Sequence, residues 1–242
     1  MYSFFVDDEN IVDNYAYVEG DDYNHIKNAL RMKEGEIIKI CNKKNGDSFK
    51  TKIEKITDTE IQCAIIEKMD STESSVKVVI YQGLPKSDKM EYIIQKSVEL
   101  GVYSIVPVEM KYCIAKMKNH EKKTKRWNLI SEAAAKQSKR SIIPKIENVI
   151  DIKKLCEEIK KYDLSIVAYE KENKKSIKEL ISNKNKLKAI AIVIGPEGGI
   201  DESEVEMLEK NGAVCATLGK RILRTETASS AILSMIMYEY EL

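Results

Sequence analysis

"AIVIGPEGGIDESEVEMLEKNGAVCATLGKRILRTETASS", Ala191 to Ser230, passes twice through one cycle: an apolar run of strand type, a glycine-bearing loop, and the start of a helix. In the first pass "AIVI" ends at Ile194, Gly195 to Gly199 turn, and Asp201 opens a helix with Glu204 three residues on, as in a capping box. In the second, "AVCATLG" leads into "KRILR" and then "TETASS". Two such passes in the same sense predict parallel strands with helical crossovers. The second loop carries more than a connection needs. Lys220 and Arg221 precede an apolar pair, Ile222 and Leu223, and Arg224, Thr225, Glu226 and Thr227 follow. A plain turn asks only for a glycine and a cap, so a ligand is expected there.

Working outward, the same alternation extends back to Val76. "VKVVIYQG" and "YSIVPV" read as buried strands, and "KSDKMEYIIQKSVELG" puts Met90, Ile93, Ile94, Ser97 and Val98 on one helical face. "KKTKRWNLISEAAAKQSK" reads as a helix with Trp127, Ile130, Ala134 and Gln137 near its buried side, and "LSIVAYE" as a further strand. The closing helix is apolar well round its circumference: Ala228, Ala231, Ile232, Met235 and Ile236 form one stripe, which Leu233, Met237 and Tyr240 widen. Burial within the domain and burial in a dimer both account for that. Residues up to about Met69 differ. They alternate short β-branched runs with turn signals such as "KKNGDS" (Lys43 to Ser48), the pattern of a small barrel or meander. "DSTESS", Asp70 to Ser75, separates the two regimes, which predicts domains over 1–70 and 71–242.

Bulk composition narrows the functions. The chain has 242 residues with a net charge of +1, so no global field advertises a nucleic-acid partner. The five cysteines are scattered, with no CxxC, which argues against a disulfide frame and a metal site. Only His25 and His120 are present, and their neighbours suit neither a triad nor a metal. No apolar run approaches membrane-spanning length, and Met1 to Asn10 lacks a signal-peptide pattern, so a cytoplasmic protein is expected. Charge is nevertheless local. "KMKNHEKKTKR", Lys116 to Arg126, carries six cations against one acid, and "KQSKRSIIPK" carries four and none. Taken alone this is a solvated surface, yet it is compatible with RNA phosphates.

The first loop resembles a phosphate-binding turn only superficially. GxGxxG is absent and no Gly-Lys-Ser/Thr follows. Pro196 removes a backbone donor, and Glu197, Asp201, Glu202 and Glu204 repel phosphate. The ligand this suits is a nucleoside, an amino acid or a cation. Both loops can lie at the carboxyl ends of neighbouring strands of one sheet, where open α/β folds bind ligands.

"GPEGGI" followed by "LGKRILRTETA" closely resembles the SPOUT-superfamily ribosomal RNA methyltransferases that modify N3 of a uridine in 16S RNA. "LPKSDKMEYIIQKSVELGVYSIVPV", "SEAAAKQSKRSIIPKI", "FFV" and "HIKNALRMKEGE" are similar to other segments of that family. The resemblance implies a small PUA-like β-barrel followed by an α/β methyltransferase domain with a trefoil knot. It also implies S-adenosylmethionine as donor and a homodimer formed through the carboxyl-terminal domain, acting on 16S rRNA or the small ribosomal subunit. On that reading Ile194, Gly195, Gly198, Gly199, Ile200, Leu218, Gly219, Ile222, Leu223 and Thr227 embrace the donor. Glu226, then Glu197, is the expected base for the N3 proton, and Arg224 stabilises charge on a uracil carbonyl. Lys116, Lys118, Lys122, Lys123, Lys125, Arg126, Lys139 and Arg140 are the expected phosphate contacts. A related enzyme acting on a ribose 2′-hydroxyl or a tRNA guanine, and a non-catalytic RNA-binding assembly factor, remain open.

Overall fold

The computed structural model describes residues 1–86, 88–114, 120–182 and 187–241, with the side chain of His120 left out. It divides into two compact units: Met1–Glu73 with Ala135–Ile143, and Ser74–Ala134 with Pro144–Leu242.

In the first unit six strands, β1 (Ser3–Val6), β2 (Ile11–Val12), β3 (Tyr15–Val18), β4 (Ile37–Asn42), β5 (Ser48–Ile56) and β6 (Ile61–Met69), pair in the order β1-β4-β5-β6-β3-β2. Only β1 and β4 run parallel. Register shifts between Lys50 and Thr51 and between Ile53 and Lys55 bend the long β5–β6 ribbon, as bulges do. The sheet curls over Phe4, Val18, Ile38, Ile40, Ile53 and Ile61, with Tyr23 and Ile26 from the short helical segment α1 (Gly20–Asn24) and its continuation closing the core.

Ala135–Ile143 is held to this unit by polar contacts. Lys39, only 3% exposed, donates to the Lys139 carbonyl and the Ser141 hydroxyl. Arg140, 5% exposed, has its guanidinium engaged by Glu73, whose carboxylate also accepts from the Ser141 and Ile142 N–H groups. A Cβ at Gly46 would come within 2.8 Å of the Ile142 side chain.

The second unit is built on seven parallel strands: β7 (Lys77–Gly83), β8 (Ser104–Glu109), β9 (Lys145–Ile146), β10 (Ile150–Asp151), β11 (Leu164–Ala168), β12 (Ala189–Ile194) and β13 (Val214–Ala216). Their order is β10-β8-β7-β12-β11-β13, with β9 also paired to β8. The helices are α2 (Lys89–Glu99), α3 (His120–Gln137, its last turn belonging to the first unit), α4 (Ile152–Glu158), α5 (Ile177–Ile181), α6 (Glu202–Lys210) and α7 (Thr225–Glu241). Strand periodicity assigns the faces. Val79, Tyr81, Val167 and Val193 pack with Leu155 of α4 and Val205 and Leu208 of α6. The alternate positions Val78, Ile80, Ile190 and Ile192 are equally buried, on the side where α7 meets β12 and α2.

Helix α2 buries Met90, Ile93, Ile94, Ser97 and Val98, the stripe its spacing predicts. Helix α3 does not follow its predicted stripe throughout. Trp127 and Ala134 are buried, but Gln137 is exposed and Ser131 is buried instead, its hydroxyl donating to the Pro144 carbonyl. Helix α7 buries Ala228, Ile232, Leu233, Ile236 and Met237, and leaves Thr227, Ser234, Met235 and Tyr238 exposed. All five cysteines are free thiols, four of them buried, and burial pushes Cys63 and Cys215 up to about 12.

Candidate active site

Three loops at the carboxyl ends of β11, β12 and β13 enclose a cavity of about 570 Å³, a volume suited to a nucleoside-sized ligand. The two loops singled out in the sequence form two of its walls. They do not leave adjacent strands: β11 lies between β12 and β13, and Ala168, Tyr169 and Glu170 at its end supply a third wall.

One buried polar cluster ties these walls together. Thr225, the first residue of α7, donates its hydroxyl to the Gly195 carbonyl (2.7 Å) and accepts from Gln82 Nε2 (2.8 Å). Gln82 is fully buried at the end of β7, and its Oε1 accepts from the Ser229 hydroxyl (2.8 Å). Thr225 therefore fastens the helix to the strand end rather than acting as an N-cap. Sequence reading missed Gln82, whose only local signal is an amide in an otherwise apolar strand.

Most of the first loop's glycines are required by the protein's own packing. A Cβ on Gly195 would reach 2.8 Å from Ile200, one on Gly198 3.0 Å from Tyr112, and one on Gly199 2.5 Å from Glu170 Oε1. Gly199 also has φ +76°. Gly219 is different: its φ is +121°, and no atom lies within 4 Å of a built Cβ. There the main chain faces open space, the arrangement a closely approaching ligand needs. Ile194, Gly195, Gly198, Gly199, Leu218, Gly219, Ile222 and Leu223 all line the cavity, and Ile222 is 86% exposed beside it. Ile200 is instead buried in the core under α6, and Thr227 is exposed on α7 without lining the cavity.

Asp201 is the best-held acid beside the loop. Its carboxylate accepts from Lys111 Nζ and the Tyr112 hydroxyl (2.8 Å each) and from Ser203, and the Lys111 ammonium first, then Ser203 and Tyr112, holds it well below the usual carboxylate range. Glu204, also buried, accepts from the Lys111 N–H.

The catalytic candidates separate. Burial works to raise the Glu197 carboxyl, but its own backbone N–H, the Lys89 ammonium and the Lys86 N–H outweigh it and leave the group below its usual range. A carboxylate stabilised in that way is a weak base. Glu226 Oε2 is buried without a hydrogen-bond partner, and Lys89 Nζ lies 3.5 Å from it, within ion-pair reach. Arg224 lines the cavity, is exposed, and has no ion pair or hydrogen bond from its guanidinium among the described residues. Glu226 is therefore paired with Lys89 and not with Arg224.

The expected phosphate contacts divide as well. Lys122, Lys123 and Lys125 are exposed on α3, where Arg126 is paired to Glu91 at 2.8 Å. Lys139 is exposed in the first unit, with φ +59°. Arg140, expected on the surface, is buried against Glu73, so its charge serves the packing of the first unit. Lys116 and Lys118 lie outside the described residues. Among the described residues no three His, Cys, Asp or Glu side chains gather to hold a metal, and no helix is long and apolar enough to cross a membrane.

A parallel sheet whose carboxyl edge carries this cavity, preceded by a curled sheet, defines an RNA methyltransferase with a PUA domain: the RNA methyltransferase domain model matches residues 72–237 and the RNA methyltransferase PUA domain model residues 18–66. The chain belongs to the ribosomal RNA small subunit methyltransferase E family. It is 38% identical to the Bacillus subtilis member, covering 93% of this chain and 90% of that one, and 35% identical to the Mesomycoplasma hyopneumoniae member, covering 97% and 98%. The structure of the Neisseria gonorrhoeae member bound to S-adenosyl methionine superposes with a TM-score of 0.86 at 27% identity, covering 99% of this chain and 98% of that one.

Proposed function

We propose that this protein transfers a methyl group from S-adenosylmethionine to N3 of a uridine in 16S ribosomal RNA, as a cytoplasmic homodimer with a knotted carboxyl-terminal domain. The observation that carries the reading is the three-loop cavity, lined by Lys89 and by Arg224, whose guanidinium has no partner among the described residues, with Glu226 Oε2, itself outside the cavity lining, 3.5 Å from Lys89 Nζ.

The residues present fit the donor. Gly219 and Leu218 offer main chain and Ile222 and Leu223 apolar surface, while Glu170 adds a negative charge to the cavity lining, which suits a cationic sulfonium. The donor supplies an electrophilic methyl carbon on a sulfonium, whose sulfur keeps the electron pair of the bond that breaks. Glu226 takes the N3 proton, because the neutral imide nitrogen is a poor nucleophile. Holding acceptor and donor in line supplies about 7–11 kcal/mol of the barrier reduction when alignment is good. Lys122, Lys123 and Lys125 bind phosphates, and the open face of α7, with Met235 and Tyr238, pairs with a second copy.

The test is incubation with labelled donor and either free small-subunit RNA or assembled particles, followed by digestion and mass identification of the nucleoside. N3-methyluridine supports the proposal. A methylated ribose or guanine would assign the site to another acceptor.

A further inference from the structure

We propose that Lys89 is a catalytic residue of this transfer: its ammonium donates to a carbonyl oxygen of the uracil and holds the negative charge that appears when the N3 proton leaves. The inference rests on the function proposed above and assigns the third polar group of the acceptor site.

Lys89 opens α2 and lines the cavity, with its side chain 33% exposed. Its Nζ lies 3.0 Å from Glu197 Oε1 and 3.5 Å from Glu226 Oε2. An ammonium has three donors. Glu197 takes one of them, Glu226 Oε2 lies at ion-pair distance without a hydrogen bond, and a donor is left for whatever enters the cavity. Glu197 first, with burial opposing, raises the Lys89 ionisation above its usual value, so the group stays charged. Its backbone is anchored as well, since the next turn of α2 buries Met90, Ile93 and Ile94. The other charged groups on this cavity are Glu170, Lys220, Arg221 and Arg224.

The chemistry needs such a cation. When the N3–H bond breaks, the proton goes to Glu226 and its electron pair stays on the imide, spread over both carbonyl oxygens. That pair then forms the new N–C bond. Lys89 as donor and Glu226 as acceptor, 3.5 Å apart, match a C=O and the adjoining N–H of the uracil edge. Cytosine offers an acceptor at N3 and meets Glu226 with repulsion.

The experiment uses the full-length protein, small-subunit particles from a strain lacking this enzyme, and single-turnover transfer of labelled methyl. Lys89→Met should lower the rate at about pH 7 by roughly 10²- to 10³-fold and leave donor affinity by calorimetry unchanged. Lys89→Arg should recover most of the rate. The deficit of Lys89→Met should shrink as pH rises and more of the imide ionises without help. If Lys89→Met does not fold, Lys89→Gln against Lys89→Arg makes the same comparison. A methionine variant within threefold of wild type, or a loss equal at every pH and not relieved by arginine, overturns the assignment. A wild-type protein that puts no methyl on uridine N3 instead overturns the underlying function, and this role with it.

Discussion

The Thr225 hydroxyl donates to the Gly195 carbonyl at 2.7 Å, and through that bond the first turn of the closing helix is fixed to the strand end that opens the first cavity loop. The same hydroxyl accepts from Gln82, whose amide in turn accepts from Ser229, so strand β7, strand β12 and helix α7 share one buried network. Every polar atom in that chain has a partner, which makes the geometry of the two loops a property of the core rather than of the surface.

Thr225→Val removes the hydroxyl at nearly constant volume and leaves the Gly195 carbonyl and a Gln82 N–H unpaired. The expected cost is about 1–3 kcal/mol of stability, together with weaker donor binding. Thermal unfolding and calorimetry measure both. A variant with wild-type melting and affinity would mean the network does not position the loops.

Gly83→Ala and Gly219→Ala should separate packing from ligand approach. A Cβ at Gly83 would lie 2.7 Å from the Pro196 nitrogen, which is backbone and cannot yield, so this variant should lose stability outright. Alanine at Gly219 meets no atom and suffers only from φ +121°, at a cost of about 1–3 kcal/mol. Its loss should appear mainly in donor affinity. Equal effects on melting and binding in both variants would contradict the distinction.

Arg140 and the α3 lysines should behave in opposite ways. Glu73→Gln removes the carboxylate charge that engages the buried Arg140 guanidinium and should lower stability, read by denaturant unfolding. Neutralising Lys122, Lys123 and Lys125 together should leave stability alone and reduce the salt slope of RNA binding by about 2. An unchanged slope would make that stripe a solvated face.

The sequence made some of this legible and hid the rest. The apolar stripe of α2 and the strand-loop-helix cycles were readable because they depend on local periodicity. The insertion of β11 between β12 and β13 was not, since strand order is settled by long-range packing that no window contains. Gln137 is exposed where Ser131 is buried for a related reason: a hydroxyl is polar in sequence, but here it donates a hydrogen bond to the Pro144 carbonyl. Arg140 reads in sequence as one more surface cation, because its partner Glu73 lies 67 residues away along the chain. The three glycines of "GPEGG" line the cavity, but Gly195 and Gly198 are crowded by Ile200 and Tyr112 and Gly199 has φ +76°, so local packing and backbone conformation account for them. Lys89 passed unnoticed in a helix whose other residues explained themselves by packing.

Asp201 should give the protein a pH signature. Lys111, Ser203 and Tyr112 hold its carboxyl below the ordinary value in the folded state. A depressed carboxylate contributes stability that is present above its unfolded pKa of about 3.9 and is lost as pH falls towards the folded value. Asp201→Asn should therefore be less stable than wild type at neutral pH, with the deficit closing in acid below about pH 4. A deficit that does not change with pH would assign the residue to packing alone.

The central claim is that the loops after β11, β12 and β13 jointly hold S-adenosylmethionine against a uridine. A crystal of the protein soaked with that donor tests it most directly. Density for the donor between Leu218–Leu223 and Gly195–Gly199, with its methyl carbon turned towards the Lys89, Arg224 and Glu226 side, is the predicted result. Donor bound elsewhere, or a cavity that stays empty at saturating donor, would contradict it.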